Sequence, residues 1–353
     1  MHAPSPRHPA RWPHLARRCA AVAIALAACA ASFEAVAARA DAAPSAPQIE
    51  ALERAAAATV GLRIEATDDA TSAQSLGRQR EGSGVVIGDG GLILTIGYLL
   101  LEAQRIEIVT SDQKVLPARQ VAYDLATGFG LVQPLVPLRG VRPVPLGRSA
   151  SAAPGELVLV AAGGGAGGVG MTQLVSQRAF SGYWEYHIES ALFTSPPVPN
   201  HSGAALFNQR GELLGIGSLF TTEAVPGHAL PGNMFVPVDL LRPVLAEMQS
   251  TGSTRASRRP WLGLTSAERS GRVEILRVNR ESPAEAAGLR SGDVVLAIDG
   301  AKVETLEAFY KKLWQHAEPE SEVELTVQQG EAVRTLRLRA IDRMRTMRKP
   351  AGI

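Results

Sequence analysis

The feature that most constrains this chain is its punctuation between residues 82 and 249. Short runs rich in aliphatic and β-branched residues alternate with Gly, Asp, Pro and Ser, at 84–87, 92–96, 105–110, 115–121, 131–135, 156–162, 171–179, 183–189, 204–207 and 212–219. Segments of that length bounded by turn formers read as strands. Asn208-Gln209-Arg210-Gly211 supplies a turn, with Gly where a positive φ is needed. Many short strands at regular spacing predict a sandwich or paired barrels. The fold class expected here is mainly β.

Composition narrows the functions open to such a fold. The chain has 353 residues and a net charge of +2, long enough for two or three domains. Arg7, Arg11, Arg17, Arg18 and Arg39 fall in the first 40 residues against one acid, Glu34, leaving 31 basic and 33 acidic residues beyond them. The mature body therefore lacks the basic footprint of a nucleic-acid binder. Both cysteines, Cys19 and Cys29, also lie in that leader. A disulfide framework, a Cys-ligated zinc and a Cys nucleophile are thus excluded from the rest.

The leader itself is a basic stretch followed by an apolar run from Cys19 to about Ala31. That run is shorter than the roughly 20 residues a membrane-spanning helix needs, and the pattern is that of a secretory signal over residues 1–40. Two exits are readable. Ala38-Arg39-Ala40 fits ordinary cleavage, whereas Leu26-Ala27-Ala28-Cys29 resembles a lipobox in which Cys29 would carry a lipid anchor. Either way the expected location is the periplasm or cell envelope.

Further boundaries follow from composition. Residues 41–81 read as a linker, a helix from Gln48 to Thr59 and a first strand; 82–249 as the β domain, closing on a helix at Asp239–Gln249; 250–259, with no apolar residue larger than Ala, as a second linker; 260–340 as a smaller domain; and 341–353 as a basic tail.

Nine segments carry a resemblance. Gly82-Ser83-Gly84-Val85-Val86-Ile87, Gly91-Leu92-Ile93-Leu94-Thr95 and Asn200-His201-Ser202-Gly203-Ala204-Ala205-Leu206 resemble the opening strand, the T-x-x-H segment and the nucleophile segment of the HtrA/Deg trypsin-like serine proteases. Leu214-Gly215-Ile216-Gly217 resembles the strand after the nucleophile, and Phe235-Val236-Pro237-Val238 the family's F-A-I-P step into its last helix. Trp261-Leu262-Gly263-Leu264, Ser282-Pro283-Ala284, Ala287-Gly288-Leu289-Arg290-Ser291-Gly292-Asp293 and Ile298-Asp299-Gly300 resemble a PDZ domain. The resemblance implies a trypsin-like double β-barrel followed by an α+β PDZ domain, a homo-oligomer (a trimer in the family), and peptides or unfolded proteins as partners in envelope protein quality control.

The catalytic set departs from the family pattern. Ser202 aligns with the nucleophile, but Tyr98 stands where the family has its histidine and Gly128 where it has its aspartate. A phenol with a pKa near 10 is a poor base at neutral pH, and glycine offers no carboxylate. Of the seven histidines, none lies between residues 41 and 186; His187, His201 and His228 are the candidates for a substitute base, and Asp124 for a displaced acid. In the family a Gly two residues before the serine helps form the oxyanion hole. Here that hole would fall to Asn200 and Ser202, Asn being tolerant of left-handed backbone. The expectation is a catalytically impaired protease fold; the alternative is a serine endopeptidase using Ser202 with a non-standard base.

Gly163–Gly168 lacks the ending of a phosphate loop, and no metal-ligand motif is present, so no cofactor or metal is expected. In a PDZ domain a peptide adds as a strand to a sheet edge, its terminal carboxylate held by backbone N–H groups. By that resemblance Trp261, Leu262, Gly263 and Leu264 form the carboxylate loop. Leu306, Phe309 and Leu313, at helical spacing in 305–316, line part of the pocket wall.

Overall fold

The computed structural model describes residues 45–164 and 167–347. The leader with Cys29, part of the glycine-rich loop and the last residues of the basic tail lie outside them. Residues up to Ile49 belong to one unit; both barrels and the PDZ region belong to the other, Glu50–Ile353.

Helix α1 (Ala46–Ala57) leads into a closed six-stranded barrel: β1 (Thr59–Ala66), β2 (Gln79–Val86), β3 (Ile93–Ile96), β4 (Ala103–Val109), β5 (Val115–Tyr123) and β6 (Phe129–Pro134), in the order β1-β2-β3-β6-β5-β4. The barrel thus starts with β1, well before residue 82. A four-residue helix, α2 (Ala73–Leu76), lies between β1 and β2. The second barrel is closed by β7 (Leu157–Ala162), β8 (Gly168–Gly182), β9 (Tyr186–Ser195), β10 (Ala205–Phe207), β11 (Leu213–Thr221) and β12 (Gly232–Pro237), in the order β10-β11-β12-β9-β8-β7. Val60, Leu62, Ile93, Phe129, Leu131, Phe193, Phe207 and Val236 join one continuous core beneath both barrels. Each fully buried side chain of this size contributes about 1.5–3 kcal/mol.

The barrels meet along backbone. The described part of the glycine-rich loop lies so close to β1 that a Cβ on Gly163 would fall 2.1 Å from the carbonyl carbon of Val60. Glycine is there for close approach rather than for a phosphate.

Sequence and structure part at the end of this domain. The helix expected over 239–249 is a 3₁₀ turn (Val238–Leu240) and then a shorter helix, α3 (Leu245–Thr251). The stretch 250–259 is no free linker, because Thr254 and Ser257 are buried against the first barrel.

The PDZ region holds β13 (Pro260–Trp261), β14 (Leu264–Arg269), β15 (Arg272–Val278), β16 (Val294–Ile298), β17 (Ala301–Lys302), β18 (Glu322–Gln329), β19 (Ala332–Arg339) and β20 (Ile341–Asp342), with helices α4 (Pro283–Ala286) and α5 (Leu306–Leu313). The main sheet runs β14-β15-β16-β18-β19, so β14 is an edge strand. Ser282 caps α4 by accepting from the Glu285 N–H, and Thr305 caps α5 by accepting from the Ala308 N–H. Leu306, Phe309 and Leu313 are sealed in this domain's own core with Leu262, Ile275 and Leu325. The stripe read as pocket wall is core packing; helical period cannot tell the two apart. Among the described residues no helix is long and apolar enough to cross a membrane.

Candidate active site

Three strictly packed turns converge where the barrels meet. Ser202 sits before β10, with Asn200 (φ 55°) and Gly203 (φ 75°) both in left-handed backbone. A Cβ on Gly203 would fall 2.0 Å from Ser83 O, so only glycine fits. The Ser83 N–H donates to Ser202 O at 2.9 Å, and buried Thr95 donates its hydroxyl to Ser83 O at 2.6 Å. The Gly203 N–H reaches Gly217 O at 2.8 Å. This lattice fixes the serine against β2 and β3.

Tyr98 lies on the 3₁₀ turn Gly97–Leu100 that follows β3. Arg80 pins that turn. Its guanidinium donates to Leu101 O at 2.7 Å, Tyr98 O at 3.2 Å, Gly77 O at 3.0 Å and Ser72 Oγ at 2.8 Å. The phenol oxygen of Tyr98 then lies 2.6 Å from Ser202 Oγ and 2.9 Å from Ser218 O. A phenol has one proton to give and a carbonyl can only accept. All three groups are satisfied when Tyr98 donates to Ser218 O and Ser202 donates to Tyr98. Burial pushes the Tyr98 phenol up to about 12, outweighing the opposite effect of the Ser202 hydrogen bond. It stays neutral at physiological pH and draws no proton from the serine.

Gly128 lies beside the Tyr98 turn, its carbonyl accepting from the Gly97 N–H at 2.7 Å. The space a side chain would occupy there is taken. A Cβ on Gly128 would come 3.0 Å from Tyr186 Oη, which donates to Thr127 O at 2.6 Å. Asp124 is no displaced acid. Its buried carboxylate accepts from the Thr127 N–H at 2.9 Å, the Thr127 hydroxyl at 2.5 Å, and the hydroxyls of Thr254 and Ser257.

The histidines do not fill the gap. His187 Nδ1 is 2.9 Å from Ser181 Oγ, on the β8–β9 hairpin. His228 sits in an exposed turn bridged to Val225. His201 is partly buried, which lowers its pKa. Among the described residues, the side-chain hydrogen bond of Ser202 Oγ is the one with Tyr98. His187, Glu189 and Glu307 also present ligand atoms within 4.8 Å of one another. There Lys311 Nζ already lies 2.8 Å from Glu189 and 2.6 Å from Glu307, so the chain supplies its own cation.

The backbone N–H groups of Leu262, Gly263 and Leu264 hold a carboxylate of this same chain. Glu185, at the tip of the β8–β9 hairpin, accepts from the N–H groups of Gly263 at 2.8 Å, Leu264 at 2.9 Å and Leu262 at 3.2 Å. Its backbone is left-handed (φ 57°) and its side chain is buried. Burial pushes the carboxyl up, more than the three N–H donors and Arg343 pull it down. Sequence reading missed Glu185. Its only trace was a hairpin tip, Gly182-Tyr183-Trp184-Glu185-Tyr186, carrying three aromatics where turn formers are usual.

Burial also raises the phenols of Tyr123, Tyr186 and Tyr310. A near-ultraviolet absorbance titration should therefore leave these three and Tyr98 protonated at pH ~10.5 in the native protein. In denaturant all should ionise near the ordinary value of about 10. Ionisation of all five tyrosines by pH ~10.5 in the folded chain would refute the burial argument.

Comparisons with known proteins agree with this architecture. The trypsin-like peptidase domain family matches residues 82–216 and the PDZ domain family residues 260–339. A probable periplasmic serine endoprotease DegP-like from Ectopseudomonas mendocina (strain ymp) is 27% identical over 248 residues, covering 64% of this chain and 50% of its own. A protein of the same description from Pseudomonas fulva (strain 12-X) is 28% identical over 244 residues, with the same coverage. The chain thus spans about half the length of the curated relatives it matches. The solved HtrA-type protease AlgW with tripeptide superposes with a TM-score of 0.51 at 21% identity, covering 86% of this chain and 98% of that one. The serine endoprotease from Yersinia pestis gives 0.51 at 20%, covering 85% and 99%. Two closed barrels, a serine at their junction and a PDZ domain after them make this chain, a trypsin-like peptidase fold joined to a PDZ domain, similar to the HtrA-type proteases.

Proposed function

We propose that this chain is a periplasmic, catalytically impaired HtrA/Deg-type protein that binds unfolded or C-terminal peptides through its PDZ domain in envelope protein quality control. The observation that carries the impairment is the neutral Tyr98 phenol 2.6 Å from Ser202 Oγ, in the place of a base. The periplasmic assignment rests on the names of the relatives and on the leader.

A fluorophosphonate serine probe tests it, with Ser202→Ala and an active family member as controls. Loss of a positioned general base costs about 10²–10⁴ in rate, so labelling should run at least ~10²-fold slower than in the active relative. It should not rise between pH ~7 and ~10, because Tyr98 keeps its proton throughout. Stoichiometric labelling that disappears in Ser202→Ala would establish an activated serine instead and send the search to His201.

A further inference from the structure

We propose that the PDZ groove carries a ligand from its own chain. The hairpin tip Gly182–Glu185 occupies the peptide site, with the Glu185 side chain standing in for a terminal carboxylate. An incoming peptide with a free C-terminus binds by displacing that tip. This rests on the peptide-binding reading above and names what competes for the same site.

Three independent contacts support it. The first is the loop: all three N–H groups from Leu262 to Leu264 converge on the two oxygens of one carboxylate at 2.8–3.2 Å. A buried carboxylate with several charge-assisted hydrogen bonds is held more firmly than a neutral acceptor would be. The second is the edge of β14, the outermost strand of its sheet. The Ser266 N–H donates to Tyr183 O at 3.0 Å, two residues before Glu185. The tip therefore runs along the edge strand toward the loop, as a peptide ending in the loop would. The third is the opposite wall. Tyr310, on α5, donates its hydroxyl to Gly182 O at 2.9 Å, and that hydroxyl oxygen accepts from the Glu185 N–H at 3.4 Å. Outside the groove, Lys311 reaches Glu189 on β9 at 2.8 Å.

The arrangement has a backbone cost that marks it as specified. Glu185 adopts φ 57°, a region uncommon for a non-glycine residue, and the side chain so aimed is the one that fills the loop. Tyr186, the next residue, is the phenol that fills the space beside Gly128. The segment that vacates the groove is thus joined directly to the one that blocks the acid position.

The test uses the full mature chain and two variants. Glu185→Gly suits the left-handed backbone and removes the carboxylate; Glu185→Gln keeps the shape and removes the charge. Circular dichroism melts verify folding. Hydrogen exchange at residues 262–264, without any peptide, should accelerate at least ~10-fold in Glu185→Gly, with Glu185→Gln between it and wild type. An equimolar pool of decapeptides with randomised last four residues and free carboxylates should bind Glu185→Gly at least ~10-fold more tightly than wild type. The amidated pool should show no such gain. Unchanged exchange, with wild type binding the pool as tightly as the variant, overturns the internal ligand and leaves peptide binding standing. Accelerated exchange with no binding of the pool by any chain supports the internal ligand and overturns peptide binding.

Discussion

Replacing Asp124 with alanine is expected to destabilise the fold by about 3–5 kcal/mol. The carboxylate is fully buried and gathers four donors: the Thr127 N–H and the hydroxyls of Thr127, Thr254 and Ser257. Two of these partners sit 130 and 133 residues away, so the hub fastens the 250–259 segment to the first barrel. Alanine leaves buried donors facing a void, at about 1–3 kcal/mol for each that finds no substitute. The Ser257 hydroxyl oxygen still accepts from the Leu125 N–H at 2.7 Å, which limits the loss. Asparagine keeps the shape and one acceptor oxygen and should cost roughly half as much. For a chain of this size the alanine variant should melt roughly 10 °C lower. It should also be cut by trypsin at Arg255 or Arg258 well before wild type. A melt within about 2 °C of wild type would show that the segment is held by something other than Asp124.

That hub marks where sequence reading stopped. The β-strands were legible because aliphatic runs bounded by Gly, Pro and Asp leave few other choices. That Ser202 and Tyr98 meet and Gly128 lies beside them follows from short segments whose register is fixed by neighbouring strands. The stretch 250–259 misled because small polar residues read as solvated; Thr254 and Ser257 are buried only because Asp124 satisfies their hydroxyls. Leu306, Phe309 and Leu313 misled differently: their period gives a face, and which partner covers that face is a tertiary fact. Glu185 was invisible for a third reason. The run 183–189 reads as a strand, whereas 183–185 is the turn between two strands, and the three N–H groups that justify the burial of Glu185 lie 77 to 79 residues further on.

Replacing Tyr98 with histidine is expected to raise the rate at which Ser202 reacts with a fluorophosphonate by about 10²-fold, the lower end of what a positioned general base supplies. The seat for an imidazole is already built. Arg80 holds the turn, and Ser83 and Thr95 hold the serine. Tyr98→Phe removes the same hydroxyl without adding a base and should leave the rate at the wild-type level. That separates unblocking the serine from activating it.

The gain stops there because nothing orients the imidazole, a role worth about 10⁴ where it has been removed from a working triad. Gly128→Asp adds a carboxylate in strained backbone (φ 83°) and against Tyr186 Oη, which a Cβ would meet at 3.0 Å. The double variant Tyr98→His with Gly128→Asp should therefore fall well short of the full ~10⁴. Adding Tyr186→Phe, which removes the phenol oxygen from that space, should raise the rate further. If Tyr98→His alone reached the rate of an active family member, the acid position would be irrelevant in this fold. If none of the three variants exceeded wild type, the defect would lie in the presentation of Ser202 and Asn200 to substrate rather than in the missing base.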